Sequence, residues 1–77
     1  MVSYKPLFRL LVDRNLSKAD LRRMANISPN TMTKLRRGEE VSMTVLNKIC
    51  AVLGVSYGDI MEYIHLESTE TTETLSE

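Results

Sequence analysis

Residues 17–38 read Ser17-Lys-Ala-Asp20-Leu-Arg-Arg-Met-Ala-Asn26-Ile-Ser28-Pro-Asn-Thr-Met-Thr-Lys34-Leu-Arg-Arg-Gly38. The stretch predicts two short helices joined by a tight turn. Ser17 can accept from the backbone N–H three residues on while Asp20 reaches back, a capping box with Asp in place of Glu. Leu21, Met24 and Ala25 follow at helical spacing. Asn26 tolerates the left-handed conformation that ends a helix, and Ile27 dips back toward the core. Ser28 is a second N-cap. Pro29 falls at the first position of the next helix, where a missing N–H is harmless. Met32 and Leu35 give that helix its buried side, and Gly38 stops it.

Around those two apolar positions the second helix of the pair carries Asn30, Thr31, Thr33, Lys34, Arg36 and Arg37, with no carboxylate among them. An ordinary solvated face mixes both signs of charge. A face of donors without acids suits a polyanion. For an isolated helix the solvated face is the better reading.

Elsewhere the same signals recur. A first helix is expected from about Tyr4 to Arg14, with Pro6 in its first turn and Leu7, Leu10 and Leu11, joined by Phe8 or Val12, as an apolar stripe. Residues 1–3 are expected frayed or extended, Asn15 as a C-cap, and Leu16 as a contact onto the next helix. The two helices of the motif span about Lys18–Ala25 and Pro29–Arg37. After a Gly38–Val41 loop, Ser42 caps a fourth helix, about Met43–Leu53, whose apolar face is Val45, Leu46, Ile49, Cys50 and Leu53. Gly54 closes it and Ser56 opens a fifth helix, expected over Tyr57–Tyr63, with Ile60, Met61 and Ile64 on its apolar side.

The chain has 77 residues and a hydrophobic content of 43%, enough for one domain with one core. A chain of this size buries only about 60% of its unfolded surface, so tight helical packing or a partner chain is needed. Four aromatics and no Trp make the core aliphatic. The absence of a long apolar run, of a signal-peptide pattern and of a second cysteine together point to a cytoplasmic protein. The formal net charge of zero conceals a division. Residues 1–38 carry nine cations against Asp13 and Asp20, a net of +7, and residues 39–77 carry Lys48 against eight carboxylates, a net of −7. Such polarity directs one side of a molecule toward a polyanion.

No Gly-rich phosphate loop, nucleophile–His pairing or metal-ligand spacing is present, so no enzyme, cofactor or metal is expected. Cys50 reads as a small core residue, the single His65 lacks companions for a metal, and the methionines read as core filler.

Ser17–Gly38 resembles the helix-turn-helix of the phage repressor/Cro (XRE) family of bacterial DNA-binding domains. The likeness continues through Val41-Ser-Met-Thr-Val-Leu-Asn-Lys-Ile-Cys-Ala-Val-Leu-Gly54 to Tyr57-Gly-Asp-Ile60 and covers roughly residues 4–64, in the manner of the small single-domain subgroup. Three departures stand out. Arg22 occupies a position where most relatives carry Ala and must lie flat, with its charge turned outward. Asn26 replaces the usual turn Gly. Pro29 stands where many repressors place a base-reading Gln, and it can donate nothing.

The resemblance implies an all-α, five-helix bundle of the lambda-repressor-like type over residues 1–66. Residues 67–77 are polar, acidic and nearly devoid of apolar residues, cannot bury enough surface to offset their ordering entropy, and are expected to form a disordered acidic tail. The resemblance implies a regulator of double-stranded DNA, a repressor in the first instance, inserting its third helix into the major groove. Asn30, Thr31, Thr33 and Lys34 match the base-contacting positions, where Asn pairs with adenine, Lys with guanine and a Thr methyl with thymine. Ser17, Lys18, Ser28, Arg36 and Arg37 match phosphate contacts. Arg23 faces away from the third helix, and solvation is an equal alternative for it. Because a single module buries little DNA, a homodimer is expected through Tyr57, Ile60, Met61, Tyr63 and Ile64. The other class of reading is a protein-interaction module, such as an antitoxin whose tail folds on a partner. Leu75 is the lone large apolar residue between Glu67 and Glu77 and offers little anchorage for that. A third role for the tail is to screen or imitate DNA charge.

Overall fold

The computed structural model describes residues 1–65. In chain order these form β1 (Val2–Ser3), α1 (Lys5–Asp13), α2 (Lys18–Ala25), α3 (Pro29–Arg37), α4 (Met43–Leu53), α5 (Tyr57–Ile60) and β2 (Glu62–Tyr63). Serine opens every helix after α1. The hydroxyls of Ser17, Ser28 and Ser42 accept from the N–H groups of Asp20, Thr31 and Val45 at 3.0, 3.1 and 3.2 Å. At α5 the reciprocal bond is present, the Ser56 N–H donating to the Asp59 carboxylate at 2.9 Å. Each satisfies an N–H that the first turn of a helix leaves without a partner.

The helix ends are equally regular. Asn15, Asn26, Gly38 and Gly54 all adopt left-handed backbone, with φ of 61°, 56°, 75° and 67°. The N–H of the next residue then returns to the carbonyl five positions back: Leu16 to Leu11, Ile27 to Arg22, Glu39 to Lys34 and Val55 to Cys50, at 2.8–3.1 Å. This is the Schellman arrangement, which commonly carries an apolar contact from that next residue. Leu16, Ile27 and Val55 supply it; at the end of α3 the position is held by Glu39.

The core so enclosed consists of Tyr4, Leu7 and Leu11, Leu21 and Ala25, Ile27, Met32 and Leu35, Leu46, Ile49 and Leu53, and Ile60. Helix α1 packs on α2 and α5, α2 packs on α3 and α4, and α4 packs on α5. The main helical support of α3 is α2, so much of its surface faces outward. The expected five-helix bundle is present, and the two helices of the motif span Lys18–Ala25 and Pro29–Arg37 as the capping residues indicate. Among the described residues no helix is long and apolar enough to cross a membrane. The acidic tail expected over residues 67–77 lies outside the described residues.

Residues 1–3 take the extended one of the two forms expected for them, and they are paired: Val2 faces Tyr63 and Ser3 faces Glu62 in an antiparallel ladder. The pairing continues in the Ile64 N–H donating to the Met1 carbonyl at 2.7 Å. One expectation needs correction, and it follows from this pairing. Helix α5 ends at Ile60 instead of running to Tyr63, because Met61 turns to extended backbone (φ −151°, ψ 162°) and feeds β2. Ile60 has no exposed surface and so is unavailable for the dimer interface in which its spacing predicts it. Met24 and Val12, placed on apolar stripes by spacing, are 46% and 76% exposed. The buried stripes are narrower than the pattern of apolar letters.

The Gly38 turn also abuts β1, where a Cβ on Gly38 would lie 3.4 Å from the Val2 carbonyl oxygen. That is ordinary contact, so the φ of +75° sets the constraint. Gly38→Ala is expected to cost about 1–2 kcal/mol, the penalty of left-handed backbone for an L residue. Gly58 lies within α5, where an added Cβ would meet nothing within 4 Å and φ is not positive. Gly58→Ala is expected to be neutral or to stabilise by up to about 1 kcal/mol. Urea unfolding of both variants checks the contrast; equal effects would show that backbone conformation is not what distinguishes them.

Candidate nucleic-acid interface

The outward surface of α3 is set by its anchor. Met32 and Leu35 are buried at 6% and 1% exposure, which turns Asn30, Lys34, Arg36 and Arg37 to solvent and leaves Thr31 and Thr33 half-buried. Asn30 and Lys34 are four residues apart, one above the other on the same side of the helix. Among the described residues no hydrogen bond or ion pair engages the side chain of either.

The hydroxyl groups behave differently. Thr33 Oγ1 donates to the Pro29 carbonyl at 3.1 Å, so its single proton is engaged inside the helix. The Ser28 hydroxyl donates to Thr31 Oγ1 at 2.9 Å while accepting from the Thr31 N–H. Ser28 is therefore engaged as donor and acceptor in capping α3, and Thr31 keeps one donor. The four candidate base contacts share one helix face. Of these four, Asn30 and Lys34 present amide or ammonium donors with no partner among the described residues.

Beside this face lies a shallow depression between α2 and α3, lined by Lys18, Ala19, Arg22, Pro29, Met32, Thr33 and Arg36. Three cations from two helices meet here without a carboxylate in the lining. Arg22 is half-buried along this groove, in keeping with an aliphatic stem laid on the protein and a charged end turned out. Lys18 opens α2 with its ammonium 5.4 Å from the centre of the Phe8 ring. That cation–π contact steadies the side chain without neutralising it.

Three other basic residues are more compromised. Arg23 donates to Asp20 at 2.8 Å across one turn of α2. The Arg37 guanidinium stands 3.7 Å from the Glu39 carboxylate, with both side chains largely exposed. An exposed pair of this kind contributes little and yields readily to a competing anion. Arg14 donates to the Leu53 carbonyl and so ties α1 to the end of α4. Nothing local in the sequence reveals this structural use, a bond across 39 residues.

Other groups singled out by the sequence lie apart from this surface. Cys50 is half-buried on α4, and burial, with Asp59 nearby, pushes its thiol above the ordinary range. His65 is exposed and edge-on to Tyr63, ring centres 4.8 Å apart. No group of three metal-ligating side chains occurs among the described residues. Tyr57, Met61 and Tyr63 line an apolar groove together with Val2, Gly58 and Glu62. The Tyr57 hydroxyl donates to the Asn47 side chain.

Comparison with known proteins places the chain. The family model of the Cro/C1-type HTH DNA-binding domain matches residues 7–65. A crystal structure of the transcriptional regulator VanUg superimposes with a TM-score of 0.82 at 43% sequence identity, covering 84% of this chain and 87% of that one. No curated protein sequence matches the chain.

The capping box that orients α2 has a pH signature. Hydrogen bonds from the Ser17 backbone and then its side chain, with Arg23 nearby, hold the Asp20 carboxyl below the usual carboxylate range. A lowered value in the folded state means that the contribution is complete above the ordinary carboxylate pKa of about 4 and is lost as pH falls through the lower folded value. Thermal unfolding of wild type and Asp20→Asn, followed from neutral pH into acid, is expected to show the two curves converging as pH falls. A constant difference throughout would rule out the carboxylate as the source.

Proposed function

Because the chain belongs to the Cro/C1-type helix-turn-helix family, we propose that it is a sequence-specific regulator of double-stranded DNA, acting as a repressor by seating α3 in the major groove. The observation that carries this reading is the α3 face itself. Asn30 and Lys34 stand without partners among the described residues, beside a groove in which Lys18, Arg22 and Arg36 converge. In this reading the cations hold the phosphates and fix the register, while the two donors read base edges. Asn30 favours adenine through a paired donor and acceptor, and Lys34 favours guanine. Thr33, with its proton engaged by the Pro29 carbonyl, is restricted to accepting or to methyl contact. In this reading Ser17, Lys18, Ser28, Arg36 and Arg37 meet phosphates beside that face, with Ser28 acting chiefly by shaping the start of α3, where it accepts from the Thr31 N–H.

A second copy completes the reader. Met1, Tyr57 and Tyr63 are large exposed apolar residues at one end of the molecule, and Tyr57, Tyr63 and Met61 share one groove. With Ile64 half-buried beside them, they form an apolar surface suited to a twofold contact. A dimer of this kind reads two half-sites about 34 Å apart, one turn of DNA.

Selection of bound duplexes from a random pool tests the reading. A palindromic consensus is expected. Lys34→Ala or Asn30→Ala should each reduce discrimination at one base pair by about 1–3 kcal/mol. Arg36→Ala should instead weaken binding to all sequences and lower the salt slope by about 1. A pool without enrichment, or variants with unchanged preference, would remove α3 as the reader and favour a protein-interaction module. Sedimentation equilibrium tests the contact: Tyr63→Lys is expected to shift the wild-type dimer to monomer with helical content unchanged. A monomeric wild type would exclude the proposed dimer.

A further inference from the structure

The ladder delivers the chain to the side of the molecule that carries α3. Ile64, at the end of β2, lines a depression shared with Leu35, Arg36, Arg37 and Gly38. Tyr63 lines another with Lys34 and Gly38, bounded by Glu39 and Glu40. Ile64 therefore stands beside the C-terminal half of α3. Residues 66–77 carry Glu67, Glu70, Glu73 and Glu77 and no cation, and Leu66 and Leu75 are their only large apolar side chains. Residues 1–65 carry ten cations against six carboxylates. The surplus of +4 in residues 1–65 is thus matched by −4 in the segment that follows.

Resting on the reading that the α3 face takes DNA, we propose that residues Glu67–Glu77 lie along that cationic face and compete there with the phosphates. The distances allow it. Twelve extended residues span up to about 40 Å, whereas nine helical residues span about 14 Å. The attachment point lies next to Arg36 and Arg37, so the carboxylates act at an effective concentration in the millimolar range. The carboxylates recur at three- and four-residue intervals separated by hydroxyl side chains, so the segment presents negative charge with little apolar surface. Its binding is screened by salt in the same way as that of DNA. The competition is strongest at low ionic strength, where a basic face otherwise binds any duplex indiscriminately. Because any duplex must displace the segment from the same face, it lowers the affinity for all sequences by a similar factor.

The test compares the full chain with a variant carrying Glu67→Gln, Glu70→Gln, Glu73→Gln and Glu77→Gln. These substitutions leave every core residue and every helix cap unchanged. Without DNA, amide and guanidinium resonances of Lys34, Arg36 and Arg37 are expected to differ between the two chains at about 50 mM salt and to converge at about 500 mM, where screening is far stronger. With a random-sequence duplex, the variant should bind roughly tenfold more tightly at low salt, the gain vanishing at high salt. Identical resonances would overturn the proposal whatever DNA does. Shifts confined to Tyr57, Met61 and Tyr63 would overturn it too, by placing the segment in the apolar groove. Shifts at α3 with no duplex binding by either chain would uphold the contact and reject the DNA reading of the face.

Discussion

The pose of α3 depends on the turn at Asn26 and Ile27. Asn26 takes left-handed backbone with φ 56°, which lets the Ile27 N–H return to the Arg22 carbonyl at 3.0 Å. Ile27 also places its side chain in the core at 5% exposure. One residue thus closes α2 and anchors the turn, and Ser28 opens α3 immediately afterwards. Rotation of α3 would require Ile27 to leave the core or Asn26 to leave its backbone well. Because α2 is the chief helical support of α3, this turn and the buried Met32 and Leu35 together hold its direction, and the donors on its face inherit the precision that they provide.

The use of side chains on α3 follows from competition between local and external partners. A Thr four residues after a backbone carbonyl can satisfy its hydroxyl inside the helix, and Thr33 does so with Pro29. A long side chain such as Lys34 has no comparable local acceptor. The result is a surface whose short polar residues consolidate the helix while its longer ones remain available. Pro29 fits the same logic: lacking an N–H to offer, it contributes helix initiation and a carbonyl.

Local chemistry makes much of this legible in the sequence. Ser17 with Asp20, Ser28 with Pro29, and the terminating Asn26 and Gly38 define α2 and α3 to the residue, because caps are short-range events. The ladder is not legible. Strands of two residues have no periodicity, and Val2 meets Tyr63 only after every helix between them is in place. For the same reason apolar spacing overstates the length of α5: Ile60, Met61 and Ile64 have helical spacing, but Ile60 is drawn into the core and Met61 into extended backbone. At the interface, the sequence indicates which residue types share a face. It does not indicate that Arg23 is held by Asp20, that Arg14 is tied to Leu53, or that the Thr33 proton is engaged.

The ladder also has a mechanical meaning. Met1 lies opposite Ile64, at the open end of an antiparallel pair whose remaining partners are Val2 with Tyr63 and Ser3 with Glu62. Tension applied between residue 1 and the chain leaving Ile64 loads these bonds one at a time, as in a zipper, instead of sharing the force as in shear. The two strands therefore separate at low force while the helical core, held by buried Leu7, Leu21, Leu35, Ile49 and Ile60, bears none of it. Anything that pulls on the chain here is felt first at the edge beside Gly38 and the last turn of α3, and only afterwards by the rest of the domain.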